Sequence, residues 1–159
     1  LPKVGSTIVL AQAFSKLSYY GRGEHENYID RRYAAHIGLY KSTVDEQYTP
    51  YVRPQESGNH TDTRWLTLTD KKGLGIKISG SIPFEFSALP YSLADLDPEK
   101  DRKQYHSGEL VKRGEVYLNV DHRQMGVGGI NSWGALPLTQ YRIDYGNYEY
   151  GFVVEPVGN

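Results

Sequence analysis

Cysteine is absent from the 159 residues, which excludes a disulfide framework and any thiolate metal site. An excess of one charge is also missing. Eighteen Lys and Arg stand against nineteen Asp and Glu, for a net charge of −1, and the signs are interspersed. Without a basic stripe the chain lacks a nucleic-acid footprint, so no nucleic-acid partner is expected. No apolar run approaches the length needed to cross a bilayer, so no membrane partner is expected either. Internal repeats and low-complexity linkers are absent. The opening Leu1-Pro2-Lys3-Val4-Gly5 reads as neither a start site nor a signal peptide, so the chain is expected to be a piece of a longer protein.

What is present points to strands. Fourteen tyrosines favour pleated structure, and seventeen glycines with eight prolines punctuate it. Strands are expected at 6–13, 16–20, 34–41, 47–53, 64–69, 74–79 and 84–87. Arg64 to Thr69 alternates with period two and joins Leu74–Ser79 across Asp70-Lys71-Lys72-Gly73, a hairpin signature. Further hairpins are expected between 109–111 and 115–121, and between 139–144 and 147–154. Only Ser92-Leu93-Ala94-Asp95 offers a helical start, close to a capping box, and Pro98 limits it to a turn or two. Many short strands with frequent turns predict an all-β fold, an antiparallel β-sandwich or barrel.

Two segments concentrate chemistry. In the first, Gly21 to Arg32, three carboxylates, a histidine, an amide and three arginines fall within twelve residues. Glu24 and Glu26 as an acid/base pair would have to flank one substrate, which close sequence neighbours rarely do. A structural network of Arg22, Glu26, Asn27, Asp30 and Arg31 that pins an irregular loop is expected instead. The second segment is Met125-Gly126-Val127-Gly128-Gly129-Ile130-Asn131-Ser132-Trp133-Gly134. It carries one of only two tryptophans on a glycine-built loop, where the backbone is free to adopt shapes closed to other residues. Trp133 either caps one end of the sandwich or presents a flat apolar ring to a ligand such as a sugar face. Asp121 and His122, just before this loop, are candidates for a sugar hydroxyl or for a structural turn. The five histidines show no metal-ligand spacing, Gly126-x-Gly128-Gly129 lacks the strand–helix setting of a phosphate cradle, and no nucleophile elbow occurs. No metal site and no cofactor are therefore expected within the chain.

At these segments the chain resembles a known family. Tyr19 to Arg31 resembles the Gly-x-Gly-Pro-x-Glu-Asn-Tyr-x-Asp-Arg signature of bacterial β-galactosidases of glycoside hydrolase family 2, departing from it at His25, which stands in or beside the usual proline. Gln47 to Asn59, with Thr63-Arg64-Trp65 after it, resembles the next block. Leu118-Asn119-Val120-Asp121, Gln124 to Gly129 and Ser132-Trp133 resemble a third. The resemblance implies that residues 1–159 form the C-terminal part of the small-chain domain, a β-supersandwich similar to galactose mutarotase. It implies that the two catalytic glutamates and a magnesium ion belong to a separate (β/α)8 barrel, so that no catalytic residue lies here. It also implies that Trp133 stacks on a β-galactoside, with Asn131, Ser132, Asp121 and His122 as further substrate-binding candidates. Family members often carry Asp where Asn131 stands. Implied partners are the preceding domains of the parent and a second copy in a homo-oligomer, in a bacterial cytoplasm or periplasm. The alternatives are a stand-alone carbohydrate-binding module and a purely structural or oligomerisation domain.

Overall fold

The computed structural model describes residues 2–97, 106–131 and 133–158. Among these residues seven strands make one antiparallel sheet: β1 (Lys3–Ala11), β2 (Lys16–Gly23), β3 (His36–Thr43), β4 (His60–Thr69), β5 (Gly75–Leu89), β6 (Glu115–Gln124) and β7 (Phe152–Val157). The order is β1-β6-β5-β4-β2-β3, with β7 paired to β5. The fifteen-residue β5 is the spine. Its first half pairs β7 on one edge, its second half pairs β6 on that same edge, and β4 lies along the other.

Alternation places one row of side chains inside. Tyr40, Tyr19, Leu66 and Ile78 are register neighbours across four strands, and Leu17 stands opposite Leu68. A second inner patch joins Ile8 to Leu118 and Ala88, and Val120 to Phe86. Both patches belong to a single buried cluster, so the sheet curls over and closes as an all-β sandwich. Fully burying each such large side chain contributes roughly 1.5–3 kcal/mol. The outer face carries its own apolar row, Leu39-Tyr20-Trp65 and then Ser79-Val153. Leu39 and Val153 there are exposed, and the Arg64 guanidinium lies 5.5 Å from the Tyr20 ring.

Several expected elements need correction. Residues 47–53 form no strand: a 3-10 turn, Val44–Gln47, is followed by irregular chain, because polar groups here bond to distant partners. Thr49 N donates to Ser57 Oγ at 2.9 Å and Tyr51 donates its hydroxyl to Glu26. Residues 109–111 and 139–144 form no strands either. One 3-10 turn, Ser107–Glu109, ends at the start of the first, another, Thr139–Tyr141, opens the second, and β6 takes its partners from β1 and β5. Residues 74–79 and 84–87 are two parts of one strand. Pro83 falls between the two ladders of β5, where its missing N–H leaves no bond unmade. The expected hairpin across Asp70–Gly73 is present, as is the short helix α1 (Leu93–Leu96) with Ser92 and Asp95 as a capping box. Pro98 lies outside the described residues.

Candidate functional site at one end of the sheet

The segment leaving β2 is irregular, yet most of its buried polar groups are satisfied, Arg32 Nε being an exception. Asn27 is buried, donates from Nδ2 to Arg22 O (3.1 Å) and His25 O (3.2 Å), and accepts at Oδ1 from Thr61 N (3.0 Å) and Thr61 Oγ1 (2.6 Å). That uses the whole capacity of the side chain. The Glu26 carboxylate accepts from Tyr28 OH at 3.1 Å, Gly58 N at 2.8 Å and Tyr51 OH. Burial, together with this neighbouring carboxylate, holds the Tyr28 phenol well above its ordinary range. Arg22 pairs with Asp62 at 2.5 Å and donates to Ala35 O at 2.8 Å, and Arg32 joins Asp62 at 3.1 Å. Arg31 is exposed, and Arg32 is the second guanidinium on Asp62. Glu24 and His25 are exposed.

Behind this segment lies a buried polar nest. His60 stacks on Phe86 at 5.1 Å, and its ring nitrogens meet Tyr19 OH, Arg22 O and, at 2.6 Å, Gln47 Oε1. Burial pushes its pKa down to about 4, so the ring is neutral. Glu85 accepts from Asn59 Nδ2 at 2.8 Å and Gln124 N at 3.3 Å, and burial raises its pKa to about 7. Asp121 stands opposite Glu85 in the ladder. It is 3% exposed and faces Lys3 at 3.4 Å, with its pKa raised by burial to about 6. Lys3 also holds Glu56 at 3.0 Å. Gly5 is obligatory in β1 opposite Asp121, because a Cβ there would overlap the carboxylate.

The glycine loop springs from this nest at the end of β6. Five consecutive amides leave the ladder one by one. Gln124 N goes to Glu85, Met125 N to Pro2 O at 2.8 Å, and Gly126 N to Tyr141 O at 2.8 Å. Val127 N and Gly128 N go to the Asp30 carboxylate at 3.2 and 2.7 Å. Beyond Gly128 the chain turns outward. Trp133 is 92% exposed and Ile130 90%. Trp133 N donates to Asn131 Oδ1 at 2.9 Å, which closes a small turn, and Gly134 follows with φ +88°. Trp133 does not cap the sandwich in this structure. His122 lies beside the loop stem with its ring stacked on Tyr150 at 5.5 Å, and its buried Nδ1 has no hydrogen-bond partner among the described residues. Ser132 lies outside the described residues. Among the described residues no group of three or more His, Asp or Glu side chains is arranged to hold a metal ion.

The sequence-predicted residues therefore fall into two places. Trp133 and Asn131 are presented at the loop tip, while Asp121 and His122 lie at its root. The roles of Glu85, Pro2 and Tyr141 in holding the stem were not apparent from sequence, since each acts through one long-range bond with no local signature.

Comparison with known proteins adds a family. Residues 1–154 match the family model described as beta galactosidase small chain. Over 99% of its length the chain is 42% identical to the β-galactosidase of Priestia megaterium, of which it covers 15%. It is 41% identical over 94% of its length to that of Vibrio cholerae, covering 14%, and 37% over 98% to that of Streptococcus thermophilus, covering 15%. The chain thus spans about one seventh of the length of these relatives.

Proposed function

This chain belongs to the β-galactosidase small-chain family, and we propose that it serves as a non-catalytic module of a β-galactosidase that hydrolyses terminal β-D-galactosides. In this reading residues 1–159 are the C-terminal part of the small-chain domain. The module shapes the substrate pocket by presenting Trp133 to the sugar.

One observation carries the reading: a large aromatic, 92% exposed, stands on a loop whose stem is fixed through five consecutive backbone amides. Leaving an indole in water forgoes the gain of burying it, roughly 2 kcal/mol. A partner that covers the ring recovers that gain. A galactoside offers a flat apolar face of C–H groups that suits it. Asn131 sets the turn that aims the ring, and Ser132 adjoins it in sequence. Asp121 and His122 support the root of the loop. The acid/base and nucleophilic glutamates, and the magnesium ion, belong to a barrel domain outside this chain, where hydrolysis proceeds with retention through a galactosyl-enzyme. The preceding domains of the parent, or a second copy, pack on the outer row Leu39-Tyr20-Trp65-Val153.

The test is Trp133→Ala in the full-length parent, assayed on a chromogenic β-galactoside. The Michaelis constant is expected to rise about tenfold, in line with the loss of one stacking contact of roughly 1.4 kcal/mol, while kcat changes less. Unchanged kinetic constants would leave Trp133 without a substrate role.

A further inference from the structure

The Gly21–Arg32 segment and the glycine loop are nearly a hundred residues apart, and one side chain joins them. Asp30 Oδ1 accepts from Val127 N at 3.2 Å and Oδ2 accepts from Gly128 N at 2.7 Å, so both oxygens hold successive amides of the same stem. Charge-assisted bonds of this kind are stronger than neutral ones and fix orientation as well as distance. The glycines are matched to the carboxylate. A Cβ built on Gly126 would lie 2.5 Å from Asp30 Oδ2, and one on Gly128 would lie 3.0 Å from it. Any larger residue at 126 would push the carboxylate off the stem. Gly129 is tight for a different reason, since its Cβ would meet Ala135 O at 2.5 Å, where the loop returns.

Asp30 is itself held. Arg31 N donates to Tyr28 O at 2.7 Å, and Tyr28 and Asn27 just before it are buried in the saturated network. Among the described residues Asp30 is also the last anchor before the loop turns into solvent, since the Glu85, Pro2 and Tyr141 bonds all lie upstream. We propose that Asp30 is the positioning residue of the Trp133 loop, transmitting the rigidity of the Gly21–Arg32 segment to the ring that meets substrate. Asp30 touches no substrate itself. The kinetic part of this inference rests on the reading of Trp133 given above, and the mechanical part does not. Correct placement matters because a misaimed contact forfeits binding that was prepaid in the free protein.

The experiment uses the full-length parent and four variants: Asp30→Ala, Gly126→Ala, Trp133→Ala and the double Asp30→Ala/Trp133→Ala. Amide hydrogen exchange of peptides covering 124–134 is measured beside the kinetic constants. Asp30→Ala is expected to speed exchange at Val127 and Gly128 at least tenfold while the β2, β4 and β5 peptides keep their protection. Gly126→Ala, which leaves the carboxylate in place chemically, is expected to do the same. Asp30→Ala should raise the Michaelis constant about tenfold with little change in kcat, and the double variant should be no worse than Trp133→Ala alone. Unchanged exchange at 127 and 128, or acceleration spread evenly over the sheet, would overturn the positioning role. If Trp133→Ala leaves the Michaelis constant unchanged, the sugar-stacking reading fails, and exchange at 127 and 128 alone decides for or against Asp30. If Trp133→Ala raises it but Asp30→Ala changes neither constant nor exchange, the stacking reading stands and this inference falls.

Discussion

The Gly21–Arg32 segment and the Met125–Gly134 loop are both largely irregular, both contain glycine, and both adjoin the same buried nest. They differ in where their polar groups go. In the first, Asn27 Oδ1 and both Glu26 carboxylate oxygens accept from partners within the fold, and Tyr28 is buried beside them. In the second, bonding is complete up to Gly128, and the tip carries large apolar side chains into solvent. A saturated irregular segment is structure, because an unmade buried bond would cost more than the loop returns. A segment saturated at its stem and solvated at its tip is a presented surface. Glycine content alone does not separate the two.

The largest effect that would break this contrast comes from Asn27. Asn27→Ala orphans the buried Thr61 N–H and Thr61 hydroxyl at once, at roughly 1–3 kcal/mol for each group left unsatisfied, so a loss of about 2–6 kcal/mol is expected. Urea unfolding of the chain measures it. A loss below about 1 kcal/mol, the size of a single ordinary hydrogen bond, would show that the segment is no more essential than the loop.

The next effect is a pH dependence of the nest beneath both segments. Burial favours the neutral form of Glu85, whose folded pKa is about 7 against 4.5 for the free side chain. A carboxyl with a raised folded pKa costs nothing while protonated. Its contribution turns unfavourable as pH climbs from 4.5, and the penalty is complete above 7. Asp121 behaves in the same way between 3.8 and about 6. The groups facing this pair are Lys3 from β1, Glu56 and Asn59 from the chain before β4, and the Gln124 amide from β6. His60 runs oppositely: its folded pKa of about 4 lies below the ordinary 6.5, so its contribution is intact above 6.5 and is lost as pH falls towards 4. Glu85→Gln is therefore expected to stabilise the chain at pH 8 by up to roughly 3 kcal/mol, with little change at pH 4.5. Thermal melts at the two pH values decide, and equal shifts at both would refute the buried-carboxyl account.

These contrasts were only partly legible in the sequence. Strict alternation in Arg64–Thr69 and in Val116, Leu118 and Val120 marked β4 and β6 correctly, because period two maps onto burial when one face is inside. The same reasoning failed at 47–53, where tyrosine and threonine serve as hydrogen-bond donors to remote groups. It failed also at 139–144, where the Tyr141 carbonyl caps the loop stem instead of joining a ladder. Trp133 was legible as one of two alternatives, buried cap or presented ring, and its exposure removes the first for this structure. Asp30 was legible as a member of a polar segment, but its reach to Val127 and Gly128 was not, because nothing local distinguishes a carboxylate that bonds its neighbours from one that bonds a strand end ninety-seven residues away.

The smallest expected effect sharpens the contrast at the tip. Asn131 Oδ1 accepts from Trp133 N at 2.9 Å, and this bond shapes the loop beyond its stem. An aspartate offers the same acceptor at the same reach, so Asn131→Asp keeps the turn. Its Michaelis constant in the parent is expected to stay within about twofold of the original. Asn131→Ala removes the acceptor but leaves no buried group unpaired, since Trp133 N is able to turn to water. A loss of about 0.5–1 kcal/mol in ring placement, a two- to fivefold rise in the Michaelis constant, is expected, with no change in unfolding. If Asn131→Ala instead unfolds the chain, the tip is as structural as Asn27, and the division between a saturated segment and a presented one does not hold.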